Sequence, residues 1–156
     1  MKLYFAYGAN MSLDSMAHRC PDARPVQSFF LRDWRLRLHN HATIEPASGH
    51  SVPGALWSIT EECEQYLDTF EGYPYYYQKQ ELEQDGVRFM VYVMNGSGGD
   101  PSPAYVDLLF EGYEDWNLPP DNLYRTLNLK AQYDLQRCAC PHSGTDQIPG
   151  LVSHGV

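Results

Sequence analysis

The residue best placed to do chemistry is Glu71, in the run Leu67-Asp68-Thr69-Phe70-Glu71-Gly72-Tyr73-Pro74-Tyr75-Tyr76-Tyr77, where a helix end meets a cluster of aromatic rings. The negative pole of the helix and partial burial both disfavour an ionised carboxylate there. The setting therefore predicts a pKa above the usual value, suited to moving a proton near neutral pH. The alternative is a solvated last-turn glutamate beside tyrosines that only pack. Asp68, three residues back on the same face, is either a second acid or a residue that orients the helix end. Glu45 follows a strand and is expected as a rim charge. Tyr92 and Tyr105 could each give a hydroxyl to a pocket or pack as ordinary core tyrosines.

A second constellation stands at the start of the chain. Tyr4, Phe5, Ala6 and Tyr7 favour an extended strand that runs into Gly8-Ala9-Asn10, and Ser12 can cap a helix beginning at Leu13. Gly8 is expected to adopt a backbone conformation closed to other residues. A strand, tight turn and helix start in succession point free N–H groups at one spot, suited to an anion or a carbonyl oxygen. An ordinary edge strand and turn would read the same way. Metal ligation is weakly signalled: Cys138, Cys140 and His142 are three ligands where a structural zinc site uses four, and His39 and His41 could share one side of an extended segment. Glycine-rich phosphate loops and serine-nucleophile elbows are absent from the sequence.

The elements that must position these groups follow from hydrophobic period and turn chemistry. Leu13 to Arg19 is a short helix stopped by Pro21. Phe29 to His39 alternates as a half-buried strand with Arg35 and Arg37 outward. Ala42 to Ile44 and Val52 to Ile59 are predicted as two strands broken by Pro46 to His50. Thr60 caps a helix that ends at Gly72 and is expected to bury Tyr66, Leu67 and Phe70. Tyr77 to Glu83 and Val87 to Met94 form a hairpin around Gln84-Asp85-Gly86, and Asn95 to Pro103 is a loop. Helices are expected over Ala104 to Gly112 and Asp121 to Leu129, both packing on the sheet. One domain over residues 1–136 and an irregular tail over 137–156 complete the organisation.

The chain of 156 residues, with 20 acidic and 11 basic side chains and a net charge of −9, is poorly suited to nucleic-acid phosphates, although a negative surface would gather a cationic substrate. Four cysteines do not make a disulfide framework, and the first residues lack the apolar core of a signal peptide, so a reducing cytoplasm is expected. No run approaches the ~18 apolar residues of a membrane helix. A monomer or loose homodimer is expected.

Taken in order, these segments resemble the gamma-glutamylcyclotransferase family from Tyr4 to about Leu129. Tyr7-Gly8-Ala9-Asn10-Met11 is similar to the family's Tyr-Gly-Ser-Asn-Leu substrate loop, and Arg19-Cys20-Pro21-Asp22-Ala23 to its Arg-x-Pro-x-Ala. Val52-Pro53-Gly54-Ala55-Leu56-Trp57 resembles its Val-x-Gly-x-x-Trp strand, Leu67-Asp68-x-x-Glu71-Gly72 the segment of its catalytic glutamate, and Pro101-Ser102-Pro103-x-Tyr105 the mammalian-type enzymes. Ala9 departs from the family serine, so any hydroxyl contact there is lost. The loop also lacks the Tyr-Gly-Ser-Leu of the glutathione-degrading branch, which argues against glutathione as substrate.

The resemblance implies an α+β fold, a small mixed β-barrel with peripheral helices. It implies a reaction in which the alpha-amine of a gamma-glutamyl group attacks its own gamma-carbonyl, releasing 5-oxoproline and an amine without a cofactor or metal. Glu71 would be catalytic. Tyr7, Gly8, Ala9, Asn10, Met11, Tyr77 and Tyr105 would bind substrate, the four loop residues through backbone N–H groups. The leaving amine is open: an aminoglycoside antibiotic precursor, which the charge and chain length suit, or an amino acid or lysine. A non-catalytic gamma-glutamyl-binding module, or a structural protein whose tyrosines only pack, are the readings from other classes.

Overall fold

The computed structural model describes residues 1–138; residues 139–156, and with them Cys140, His142 and nearly all of the expected tail, lie outside the described residues. The chain runs β1 (Lys2–Ala6), a 3-10 turn (Ala9–Met11), α1 (Leu13–Arg19), β2 (Arg24–Leu38), β3 (Ala42–Ile59), α2 (Glu61–Glu71), β4 (Tyr77–Gln84), β5 (Val87–Met94), α3 (Pro103–Asp115) and α4 (Asp121–Cys138). Five strands form one sheet in the order β2-β3-β1-β5-β4. The short β1 is its centre, antiparallel to β3 with Tyr4 opposite Trp57, and parallel to β5 with Tyr4 opposite Met90. Both faces of this central strand are covered, since the successive residues Tyr4, Phe5 and Ala6 are all buried. Phe5, Phe29 and Phe89 meet edge to face with centroids 5.3 to 5.8 Å apart and anchor the core.

The sheet curls without closing, so "barrel" describes its curvature only. No backbone ladder joins the edge strands β2 and β4. The Gln84 side chain spans the gap, donating from Nε2 to the Phe30 carbonyl (3.0 Å) and accepting from the Arg32 N–H (2.8 Å), while Arg32 pairs with Asp85 (2.6 Å). An amide side chain has the donor and acceptor of a peptide unit, so it substitutes for the missing strand at that point.

Several sequence expectations change. β3 is one 18-residue strand, not two: its pairing with β2 resumes after an irregularity in which residues 47–50 stand opposite Asp33 alone, so the turn-forming segment bulges out of β3. Asp33 takes φ 62° there, Gly49 takes φ 80°, and the Asp33 carboxylate accepts the Gly49 N–H at 3.0 Å. The irregular residues thus bend the hairpin instead of breaking it. β2 also begins at Arg24, well before Phe29; residues 24–28 are exposed and carry no alternation to read. On α2 only Cys63 and Leu67 are buried, with Tyr66 56% and Phe70 49% exposed. α3 packs chiefly on the 3-10 turn, where a Cβ on Gly112 would stand 2.7 Å from Met11 Cβ, and α4 lies against β2 and continues to Cys138, past the helix end expected at Leu129. The caps at Ser12 and Thr60 form as expected, accepting from Ser15 N and Cys63 N at 3.1 Å each, and Gly72 closes α2 in the left-handed conformation at φ 65°. No helix among the described residues is long and apolar enough to cross a membrane.

Gly54 shows how tightly β3 is laid against β1: an added Cβ would fall 2.4 Å from both the Ala6 carbonyl oxygen and the Phe5 ring. Because the oxygen is backbone and cannot rotate away, Gly54→Ala should cost at least about 3 kcal/mol. Urea unfolding of the two proteins checks this; a difference below about 1 kcal/mol would show that β3 can shift.

Candidate active site

The end of β1, the end of α2, the β2–β3 turn and the start of α3 converge on one cavity of about 240 Å³. Tyr7, Gly8, Ala9, Asn10, Glu71, Tyr77 and Tyr105 all line it, so most of the site residues expected from sequence come together across nearly 100 positions of chain. Met11 does not. Its side chain is in the core, and its N–H donates to the Gly8 carbonyl at 3.1 Å as the first bond of the 3-10 turn. The same register leaves the N–H groups of Ala9 and Asn10 without a partner inside the turn, since a helical turn cannot satisfy its own first donors. Gly8 has φ −120°, not the left-handed value expected. An added Cβ would be tight there, 3.3 Å from the Tyr105 hydroxyl and 3.5 Å from Ala42 Cβ.

Glu71 is held from the corner. Asn10 Nδ2 donates to Glu71 Oε1 at 3.0 Å and to the Tyr4 hydroxyl at 3.1 Å, while Arg19 Nη1 donates to Asn10 Oδ1 at 2.8 Å. The Arg19 guanidinium also lies over the Phe70 ring, 3.8 Å from its centroid. Burial pushes the Glu71 carboxyl up from the ordinary 4.5 to about 7, with the Arg19 charge and the Asn10 hydrogen bond pulling in the other direction. Desolvation wins because the carboxyl is ringed by tyrosines and Arg19 is the lone Lys or Arg in the lining. Asp68 is not in the cavity: its two oxygens accept from the Tyr92 hydroxyl at 2.6 Å and Lys79 Nζ at 2.9 Å, so it acts as a structural anchor.

The tyrosines divide by where their protons point. Tyr7 donates to the Tyr92 carbonyl and Tyr77 to the Ala42 carbonyl, both at 2.6 Å, and Tyr92 donates to Asp68; these hydroxyls are committed and offer the cavity only their rings. Tyr105 accepts the Ala42 N–H at 2.9 Å and Tyr4 accepts from Asn10, so each retains a proton to donate inward. Burial raises Tyr4 well above its ordinary range and Tyr105 to about 12, which keeps both protonated at neutral pH. Tyr4, Arg19, Ala42, Phe70, Tyr76 and Leu108 also line the cavity without having been assigned a site role from sequence, and so do Tyr92, read there as a possible pocket tyrosine, and His41, read only as a possible metal ligand. Arg19 lay within a quoted motif and Tyr76 within the aromatic run; Leu108 carried no signal, because tertiary folding alone brings it in. His39 and His41 do not converge: His39 faces α4, and His41 Nδ1 lies 2.8 Å from the Tyr76 hydroxyl.

The Glu71 carboxyl has a consequence for stability. Between about pH 4.5 and 7 the folded protein holds this proton while the unfolded chain has lost it, so stability falls as pH rises through that window. Glu71→Gln removes the group and should therefore stabilise the protein by up to about 3 kcal/mol at pH 8 and by little at pH 4.5. Chemical denaturation of both proteins at the two pH values checks it; an equal difference at both would show that the carboxyl is not perturbed.

The comparisons with known proteins bear on this site. The family described as "Gamma-glutamyl cyclotransferase, AIG2-like" matches residues 4–118. Among solved structures, one named "Gamma-glutamyl cyclotransferase" is 24% identical with a TM-score of 0.68, covering 97% of this chain and 93% of its own. A human protein described as uncharacterized is 25% identical with a TM-score of 0.69 and the same coverage. YkqA from Bacillus subtilis is 22% identical with a TM-score of 0.63, over 85% of this chain and 54% of its own. No curated protein matches in sequence. The matched residues run from the first strand through the 3-10 corner, Glu71 and Tyr105, and the chain belongs to the AIG2-like gamma-glutamyl cyclotransferase family.

Proposed function

We propose that the protein cyclises a gamma-glutamyl amide to 5-oxoproline and a free amine. The observation that carries this reading is the Glu71 carboxyl, with a pKa of about 7, facing the same cavity as the unpartnered N–H groups of Ala9 and Asn10. The substrate's alpha-amine arrives as ammonium. Glu71 takes a proton from it; the amine nitrogen bonds to the gamma-carbon; the departing nitrogen receives that proton from Glu71 as the amide C–N bond breaks; and the second proton left on the ring nitrogen passes through the same carboxylate to the freed amine, which leaves as ammonium. Atoms and charge balance with no water consumed. One group can do both steps only if its pKa lies near the working pH.

The attacking and attacked atoms belong to one molecule, so holding the glutamyl group folded is the other half of the task. Backbone N–H groups of Gly8, Ala9 and Asn10 would take the alpha-carboxylate or the carbonyl oxygen, with the Tyr105 hydroxyl as a further donor. Ala9 supplies no side-chain donor, so recognition there rests on the main chain. Tyr7 and Tyr77 serve as walls.

For the leaving amine, a polycationic aminoglycoside was suggested by the net charge, but Glu71 is the only carboxylate among the lining residues and Arg19 opposes it. Charge at the cavity therefore gives that substrate no advantage. The rings of His41, Tyr76, Tyr105 and Phe70 are what a leaving group would meet, and they accept amino-acid, lysine or aminoglycoside amines alike. Antibiotic biosynthesis has no support beyond the family resemblance. A reducing cytoplasmic setting suits the free, buried Cys20 and Cys63, and a monomer or loose dimer completes this reading.

Incubation with gamma-glutamyl amino acids, gamma-glutamyl-lysine and gamma-glutamyl aminoglycosides should yield 5-oxoproline from the wild type, with kcat/KM rising with pH through about 7 as Glu71 ionises. Glu71→Gln should lower the rate by roughly 10²-fold or more. Equal turnover by the two proteins would overturn the role of Glu71, and binding without turnover by the wild type would make the chain a gamma-glutamyl-binding module.

A further inference from the structure

Arg19 ends α1 and touches the candidate active site in two ways, neither of them a direct bond to Glu71. Its Nη1 donates to Asn10 Oδ1 at 2.8 Å, and its planar face covers Phe70, the residue preceding Glu71. A guanidinium has donors only, so the Asn10 amide must turn its oxygen toward Arg19 and its NH₂ away from it. The two amide protons then go to Glu71 Oε1 and to the Tyr4 hydroxyl. The flipped amide would set NH₂ against the guanidinium and oxygen against the carboxylate, two repulsive contacts. The orientation of this side chain is thus decided by chemistry, through a single cation.

We propose that Arg19 is a positioning residue for the Glu71 carboxyl: by holding the Asn10 amide in one orientation it commits Oε1 to a standing hydrogen bond and leaves Oε2 to exchange the proton with substrate. This rests on the function proposed above. Phe70, clasped by the guanidinium, keeps the end of α2 from rotating, so one side chain governs both the backbone that carries Glu71 and the amide that grips it.

Arg19 also sets the charge balance. The groups that face Glu71 from the surrounding elements are Tyr4 of β1, Tyr7 just after it, His41 of the β2–β3 turn, Tyr76 before β4, Tyr77 of β4, Tyr92 of β5 and Tyr105 of α3. The tyrosines are held protonated by burial, so none offers a compensating positive charge. Arg19, together with the Asn10 hydrogen bond, restrains the rise that burial imposes on Glu71.

The test reads the carboxyl directly. In protein labelled with ¹³C at glutamate carboxyls, with Glu71→Gln as the assignment control, the Glu71 midpoint is followed in wild type, Arg19→Met, Arg19→Gln and Arg19→Lys, each checked for the wild-type circular dichroism spectrum. The midpoint should rise by about one unit or more in Arg19→Met and in Arg19→Gln, and return most of the way in Arg19→Lys. In the 5-oxoproline assay the ionisation limb of kcat/KM should move with it. A one-unit rise should lower kcat at pH 7 about fivefold, through the smaller ionised fraction, with KM nearly unchanged.

An unmoved midpoint in a folded Arg19→Met or Arg19→Gln protein overturns the proposal. So does a rise in KM at constant kcat with the limb in place, because Arg19 would then be binding substrate itself. A shifted midpoint in a protein whose wild type releases no 5-oxoproline leaves the hold of Arg19 on Glu71 standing and removes the proposed function instead.

Discussion

The hydrogen bond from Asn10 Nδ2 to Glu71 Oε1 joins residues 61 apart in sequence and ties the first strand's corner to the end of α2. The rest of the site depends on that tie. It brings the donors of the 3-10 turn and the proton-carrying carboxyl to one cavity, and it exists only because β1 is the central strand and α2 follows β3, its neighbour, directly through the Thr60 cap. Asn10 is itself buried, so its amide has to be fully engaged; Tyr4, Glu71 and Arg19 use both its protons and its oxygen. A buried polar network of this kind is stable only when complete, and here the completion falls on residues that line the cavity.

Opposed effects on Glu71 make the site chemically useful. Burial among aromatic rings would by itself hold the carboxyl protonated, and a nearby cation with a hydrogen bond would by itself hold it ionised. The balance stands at about 7, where both forms are populated under ordinary conditions. Asp68, one helical turn earlier, shows the contrast. It accepts from Lys79 and Tyr92 outside the cavity, so two carboxylates on one short helix play different parts.

The fold was legible where a local rule decides. The α1, α2 and β4–β5 boundaries followed from caps, from Gly72 and from Asp85-Gly86, whose positive φ values suit a two-residue hairpin turn. It was illegible where long-range pairing overrides local chemistry. Pro46 to His50 looks like a turn, yet residues 47–50 only bulge out of β3 opposite Asp33, and the hairpin continues. Residues 24–28 show no alternation because they are exposed at an edge. Gly8 was singled out for its backbone freedom, and its φ is not left-handed; what the tertiary structure adds is the Tyr105 hydroxyl, 97 residues away, close to where a Cβ would stand.

By itself the sequence determined the element types, the family, and the two segments that meet at the site, since caps, turns and short motifs act within a few residues. Only the tertiary structure decided which tyrosine hydroxyls face inward, that Met11 turns its N–H back on Gly8, and that Arg19 stands behind Asn10 and Phe70. The reason is physical. A side chain's proton goes to the nearest acceptor in space, and desolvation depends on everything packed around a group. Neither is a property of neighbouring positions in the chain.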